Sequence, residues 1–228
     1  MILLATSLGL YNHGLSFDIF LSEIFKSDKK EFKFILCDGV LPACQMSKLN
    51  RTESWLLASK GQDFVCKRCF SKGTKTLSLS GNSKILKFSD FVSHNKSKEI
   101  ENNLEALSND EVINYVHKGA KVGEHGYASA LRFFGRGDLD KEEYSDKILR
   151  KYVAGAIVSY DVFDEIFSTK LYTKVIAHHG IYTPQGLIVS AARKHSVDVI
   201  TWVKSYKKDT FILSHNDSYH HTMITEKK

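Results

Sequence analysis

The first 38 residues contain the pattern that most restricts the fold of this chain. Two short, largely apolar runs, ILLATSL (residues 2–8) and FKFILC (residues 32–37), are typical of strands buried in a parallel sheet. Between them, a turn at residues 9–14 precedes Ser16, a suitable N-cap for an amphipathic helix that ends near Lys26. Strand, turn, helix and strand in this order predict a βαβ unit with a right-handed crossover.

The same pattern returns near the C-terminal end. Residues 174–180 are predicted as a strand with a glycine turn, followed by a helix that has Pro184 near its first turn. Further strands are predicted at 197–203 and 210–214, and helices at 99–118, 126–137 and 143–171. We therefore predict an α/β fold in one domain over residues 1–228, with a Rossmann-like, mostly parallel sheet flanked by helices. Residues 45–98 are predicted as an irregular, cysteine-containing insertion with one short strand at 84–88.

A sheet of this kind binds ligands beyond the carboxyl ends of its strands. The loops at 9–14, 38–44, 178–185 and 214–221 are therefore predicted to share one rim. The helix start after the third loop suits an anion or a sugar hydroxyl, because its N–H groups are free. The sequence has neither a Walker loop nor a GxGxxG motif, which argues against those two nucleotide-binding classes. The predicted substrate-binding residues in these loops are Asn12, His13, His178, His179, Tyr182, Gln185 and His215.

The segment GEHGYASALRFFGRG (residues 123–137) places Glu124 and His125 between two glycines, just before a predicted helix. A carboxylate or an imidazole at such a position can act as a general base on a hydroxyl, which makes both residues catalytic candidates. The alternative is that Glu124 only stabilises the positive end of the helix dipole. Arg132 and Arg136 lie four residues apart on one helix face, where they could bind an anion or form a surface pair.

All four cysteines lie within 33 residues, with the spacing C-x6-C-x21-C-x2-C. A CxxC pair and a second pair can supply the four thiolates of a structural Zn²⁺ site, with an iron–sulfur cluster as the less favoured metal centre. The same side chains could instead be reduced thiols that pack as small apolar groups. A redox role for the CxxC pair is disfavoured. A redox CxxC follows a strand and opens a helix, and the pair at residues 66–69 is not predicted in that context. The predicted zinc ligands are Cys37, Cys44, Cys66 and Cys69.

The composition restricts the location and the partners of the protein. The net charge of +6 suits anionic ligands, but the basic residues are scattered in pairs, and no RNA-binding motif is present, so nucleic acid is not expected as a partner. The apolar runs are shorter than the roughly 20 residues that cross a bilayer. The N-terminus lacks the basic residues and the cleavage site of a signal peptide. These features predict a cytoplasmic protein, in which thiols stay reduced.

Four segments, in this order, resemble the N-terminal half of bacterial capsule polysaccharide biosynthesis proteins: ILLATSLGL…CDGVLPACQ, GEHGYASALRFFGRG, HHGIYTPQGLIVSAARKH and TFILSHNDSYHHTM. That family is similar to GT-B glycosyltransferases, in which two Rossmann-like domains face each other across a cleft. The resemblance implies an acceptor-side domain that is inactive alone. A C-terminal domain, in cis or in trans, would hold most of the nucleotide sugar. The implied acceptor is a glycan or a lipid-linked glycan at the inner face of the membrane, with at most peripheral membrane contact.

The resemblance also implies positions for the candidate residues. Glu124 and His125 would face the cleft as the base, and His178, His179 and Tyr182 would line it. Two alternatives use other properties of the chain: a binding or regulatory module of the same fold without chemistry, and a metal-stabilised nucleic-acid-binding protein. The second alternative is based only on a pI of about 9.0 and the CxxC pair.

Overall fold

The computed structural model describes residues 1–81, 85–208 and 210–216. Its strands form one sheet and are β1 (Ile2–Ser7), β2 (Phe32–Leu36), β3 (Ile85–Lys87), β4 (Lys174–His178), β5 (Asp198–Lys204) and β6 (Phe211–His215). The six strands have the order β3-β2-β1-β4-β5-β6, and every neighbouring pair is parallel except β5 and β6. The predicted α/β fold with a mostly parallel sheet is confirmed.

Helices flank this sheet, and their packing follows from the alternation of side chains along β1. Leu3 and Ala5 enter a core shared with the long central helix, whereas Leu4 enters a second core with Leu15 and Phe17. None of the described helices is both long enough and apolar enough to cross a membrane. The helices are α1 (Asn12–Ser27), α2 (Gln45–Leu49), α3 (Ser54–Lys60), α4 (Asp63–Leu77), α5 (His94–Glu105), α6 (Asn109–Ile113), α7 (Val122–Phe134), α8 (Ser145–Ser168) and α9 (Gln185–Lys194).

The prediction of an irregular segment over residues 45–98 is wrong. This segment contains α2, α3, α4 and the start of α5, and only its short strand, β3, is as predicted. The buried stripe of α4 consists of Val65, Cys69, Gly73 and Leu77 at a spacing of four residues. The sequence did not suggest this helix because the segment is rich in polar residues and has Gly73, a weak helix former, in its interior.

Two helices begin earlier than predicted. Helix α1 starts at Asn12, so Ser16 lies inside the helix and is not its N-cap. Helix α7 starts at Val122, which places Glu124 and His125 in its first turn and not in a loop before it. Its predicted glycine end is correct, since Gly135 adopts a left-handed conformation with φ of +71°.

The predicted helix over 99–118 is divided in two. Ser108 accepts a hydrogen bond from the backbone N–H of Glu111 and so caps α6. Val116, predicted to face inward, is 57% exposed because it lies beyond the end of α6. The long helix predicted over 143–171 is confirmed as α8, and the residues predicted on its inner face are buried: Ile148, Tyr152, Ala156, Phe163 and Phe167.

The loops that follow β1, β2 and β4 share one rim, because these strands are parallel. Strand β6 is antiparallel to β5, so His215 pairs with Ile200, whereas His178 at the rim pairs with Trp202. The prediction that the 214–221 loop joins this rim is therefore wrong. His215 lies toward the opposite end of the sheet, near the start of β5. The short connection from β5 to β6 allows a hairpin but not the longer crossover that a parallel pair needs. Residues 217–221 of that loop lie outside the described residues.

Candidate functional site

A buried hydrogen-bonded network lies beneath the carboxyl rim of the sheet. Nε2 of Gln45, the first residue of α2, lies 3.0 Å from His179 Nε2 and donates to Gln185 Oε1 at 3.0 Å. Gln185 Nε2 donates in turn to the carbonyl oxygen of Thr6, and the backbone N–H of Ile181 donates to His179 Nδ1. The network thus connects β1, α2, α9 and the β4–α9 turn. This buried network includes two of the predicted substrate-binding residues, His179 and Gln185.

His178 occupies a second buried position at the rim. Its Nε2 lies 3.0 Å from the hydroxyl of Tyr11, and its ring packs against the rings of both Tyr11 and Trp202. Burial, helped by the positive charge of Arg132, lowers the pKa of His178 to about 4, so its imidazole is neutral at physiological pH. Burial also raises the pKa of Tyr11.

Two other predicted substrate-binding residues, Asn12 and His13, remain at the surface. Both are exposed in the first turn of α1, directly after Tyr11. They therefore lie at the carboxyl end of β1, on the same rim as the β4–α9 turn.

The His125 ring contacts the same rim from α7. Its Nδ1 lies 2.5 Å from the carbonyl oxygen of Ile181. A carbonyl oxygen can only accept, so Nδ1 carries the proton, and Nε2 carries the lone pair of the neutral ring. The ring fits because residue 186 is glycine, since a Cβ atom there would overlap with His125. The adjacent Glu124 is exposed, and its Oε1 accepts from Lys121 Nζ at 2.8 Å.

Two surface grooves adjoin each other and share Ala128 and Ile181 in their linings. The first groove has a volume of about 840 Å³ and contains Glu124 and His125. Its cationic residues have partners: Lys118 pairs with Asp161, Lys194 with Asp164 and Lys121 with Glu124, while Arg193 donates to a backbone carbonyl. The first groove therefore combines an oriented imidazole with cations whose charge is largely compensated.

The second groove has a volume of about 1100 Å³ and contains Arg132 and Tyr182. The guanidinium carbon of Arg132 lies 4.7 Å from the ring centroid of Tyr182, a cation–π contact, and Nη1 lies 3.4 Å from the Tyr182 hydroxyl. The Tyr182 ring also packs perpendicular to the His179 ring, with centroids 5.1 Å apart, which links the groove wall to the buried network. The structure thus brings Arg132 and Tyr182 together, although the sequence separates them by 50 residues.

The four cysteines come from the end of β2, the N-cap position of α2 and the N-terminal half of α4. All four are unpaired thiols; Cys37, Cys44 and Cys69 are buried, and Cys66 is partly exposed. Burial raises the pKa of each thiol, that of Cys37 to about 12, and the other three thiols add to the effect at Cys66. No group of three or more histidine, cysteine or acidic side chains in the described ranges has the geometry of a metal site. The zinc site stays a prediction.

Several residues of the rim were missed by the sequence reasoning. Gln45 and Lys48 lie in α2, within the segment predicted as irregular, and Arg51 follows that helix. The available signal was position: Gln45 comes directly after the predicted 38–44 rim loop. Tyr11 lies inside the predicted 9–14 loop, but its burial against His178 depends on a contact 167 residues away.

Comparison of the chain with protein-family models, with curated proteins and with solved structures found no match in any of the three. The geometry of the rim and the resemblance of the four sequence segments are therefore the basis for a functional proposal.

Proposed function

We propose that this chain is the acceptor-binding domain of a GT-B-like glycosyltransferase of capsule or surface polysaccharide biosynthesis. The observation that carries this proposal is the position of His125. It lies in a groove at the carboxyl rim of a Rossmann-like sheet, and its Nδ1–H is bound to the Ile181 carbonyl. This tautomer directs the lone pair to Nε2, which is the arrangement that a general base requires.

In the proposed reaction, an acceptor hydroxyl binds in the first groove within reach of His125. Its oxygen forms a bond to the anomeric carbon of the donor sugar, while its proton passes to Nε2. The bond from that carbon to the nucleotide oxygen breaks, and the nucleoside diphosphate leaves with the electron pair. The Ile181 carbonyl then stabilises the imidazolium through Nδ1–H, as a fixed acceptor does in other histidine-dependent sites. A second domain, in cis or in trans, holds most of the nucleotide sugar.

Glu124 is the other candidate base, and its surroundings favour a lesser role. Its side chain is 60% exposed and paired with Lys121. An exposed carboxylate in an ion pair has no fixed orientation toward a hydroxyl, whereas the His125 ring is held by the β4–α9 turn. We therefore assign the base to His125 and place Glu124 at the mouth of the groove.

The test is a sugar-transfer assay of the full chain combined with its donor-binding domain. His125→Gln should lower kcat by about 100-fold or more with little change in the acceptor KM, because a general base acts in the transition state. Lys98→Gln, an exposed substitution on α5, serves as the control and should leave kcat unchanged.

Three results would count against the proposal. A normal kcat for His125→Gln would remove the base assignment, and a loss with Glu124→Gln alone would move it to Glu124. Acceptor binding with no transfer under any donor condition would support the alternative of a non-catalytic binding module with the same fold.

A further inference from the structure

The second groove, which contains Arg132 and Tyr182, is lined by four cationic side chains and, among the residues that the structure describes, by no aspartate or glutamate. Lys48 and Arg51 come from the end of α2 and the turn after it, and Arg132 and Arg136 come from the end of α7. These residues are up to 88 positions apart in the sequence (136 minus 48). Since like charges repel, their convergence has an electrostatic cost that a bound anion offsets.

The charges of this groove are only partly compensated by the protein. Arg136 Nε donates to Glu142 Oε1 at 2.7 Å, and Arg132 stacks on Tyr182. Lys48 and Arg51 have no carboxylate partner within residues 1–81, 85–208 and 210–216, and both are exposed. The first groove differs, because acidic side chains bind three of its four cations. The second groove is therefore the stronger site for an anion from solution.

The shape of the cationic groups indicates which anion fits. A guanidinium binds two phosphate oxygens at once, and the Tyr182 ring holds that of Arg132 in one orientation. Lys48 reaches the same groove from α2, with Nζ near Gly135 at the end of α7. Arg51 has a positive φ of 54°, because it is the left-handed residue that ends α2, with its backbone N–H donating to the Lys48 carbonyl oxygen.

The remaining walls of the groove are suited to an uncharged part of the same ligand. The partly exposed Tyr182 ring lines this groove, and Leu49 is 52% exposed beside Lys48. A volume of about 1100 Å³ exceeds the needs of a phosphate group alone.

We infer that the second groove binds a phosphate or diphosphate ester, with Lys48, Arg51 and Arg132 on its oxygens. This inference deepens the proposed function and rests on it for the identity of the ligand, which is then a phosphorylated acceptor. The first groove presents the reacting hydroxyl to His125, and the second holds the acceptor by its phosphate. A lipid-linked diphosphate and a free sugar phosphate share this chemistry.

The probe is inorganic pyrophosphate, titrated calorimetrically into the full chain at low ionic strength. We expect one site, with affinity at least about tenfold weaker in Arg132→Gln and in the double variant Lys48→Gln/Arg51→Gln, because each lost charged hydrogen bond has this magnitude. The matched control is Lys72→Gln/Lys75→Gln, which removes the same charge from exposed positions on α4 and should leave the affinity unchanged. Farnesyl diphosphate distinguishes the two sources of the phosphate group. If it binds more tightly than pyrophosphate, the ligand is a lipid-linked diphosphate. If the two bind equally, the ligand is a free sugar phosphate.

Several outcomes would overturn the inference. The first is that pyrophosphate does not bind, and the second is that the α4 control weakens pyrophosphate binding as much as the groove variants do. The third is that glucuronate binds as tightly as pyrophosphate. The fourth is that a single-stranded oligonucleotide binds more tightly than pyrophosphate and depends on the same cations. The titration needs neither donor nor transfer, so it is separable from the proposed function. His125→Gln should bind pyrophosphate as tightly as the unsubstituted chain does. Normal pyrophosphate binding by a variant that has lost transfer would show that the two proposals can be tested separately.

Discussion

Among the individual residues, the four cysteines have two possible chemistries that a measurement can separate. As thiols they are neutral, because burial raises their pKa values. Zn²⁺ binds thiolates and displaces their protons, so metal would remove that penalty. We predict about one equivalent of zinc per chain in protein purified without chelator, measured by elemental analysis. Cys69→Ser should lose the metal and lower the midpoint of thermal unfolding.

The alternative for the cysteines gives a different set of results. If the thiols are only packed, the native protein contains no metal, a chelator does not change its unfolding midpoint, and all four thiols react with a disulfide reagent once it is unfolded. The substitution Cys69→Ser then costs only the exchange of a buried sulfur for a hydroxyl. That combination would contradict the zinc prediction.

Among the helices and strands, the close contact of α7 with α8 fixes the position of His125. The contact depends on Gly126, since a Cβ atom there would lie 2.7 Å from Val153 Cα and 2.8 Å from its nitrogen. Both are backbone atoms of a buried helix, which cannot move aside as a flexible side chain can. We predict that Gly126→Ala lowers the free energy of unfolding by about 1–3 kcal/mol in a urea titration, the usual cost of overpacking.

Gly137→Ala is the matched control for this prediction. Gly137 is exposed just beyond α7 and does not have a positive φ, and an added Cβ would have no described residue within 4 Å other than its chain neighbours. Its substitution should change stability by no more than about 0.5 kcal/mol. Similar losses in both variants would mean that the α7–α8 contact is not the cause.

Elements rich in large apolar side chains could be predicted from the sequence, and a helix rich in polar residues could not. The buried strands and α8 follow from short apolar runs and from a stripe of large side chains. Helix α4 is rich in polar residues and has Gly73 in its interior, which disfavours a helix in an assignment made from the sequence alone. The direction of β6 could have been predicted from the short β5–β6 connection, which only a hairpin satisfies.

Across the whole molecule, the candidate site depends on contacts between distant segments. The sequence predicts that histidines follow β4, but their burial requires Gln45 and Tyr11, which are more than 130 residues away. The scattered basic residues give no signal in the sequence, because their convergence in the second groove is created by the packing of α2 against α7. Local pattern therefore predicts the rim, and only the fold shows which side chains meet there.

The stability of the whole molecule should depend on pH through two buried groups with opposite effects. Burial raises the pKa of Asp18 from 3.8 to about 7; the backbone N–H of Thr6 donates to Oδ2, and Oδ1 has no partner among the described residues. Because the folded chain keeps this proton longer than the unfolded chain, stability falls as pH rises from about 4 to 7. His178 has the opposite effect, because burial lowers its pKa from 6.5 to about 4. Its contribution to stability therefore increases as pH rises from about 4 to 6.5.

The two effects largely cancel in the unsubstituted chain between about pH 4 and 6.5, so single substitutions should reveal each of them. In Asp18→Asn, the free energy of unfolding should rise with pH up to about 6.5 and then stay level, because His178 is the one of these two groups that remains. In His178→Gln it should fall up to about pH 7, because only Asp18 does. Urea titrations of the three proteins from pH 4.5 to 8 measure these slopes. Parallel curves for all three would show that neither group is buried in the protonation state assigned here, whereas opposite slopes would identify each group by the interval in which it titrates.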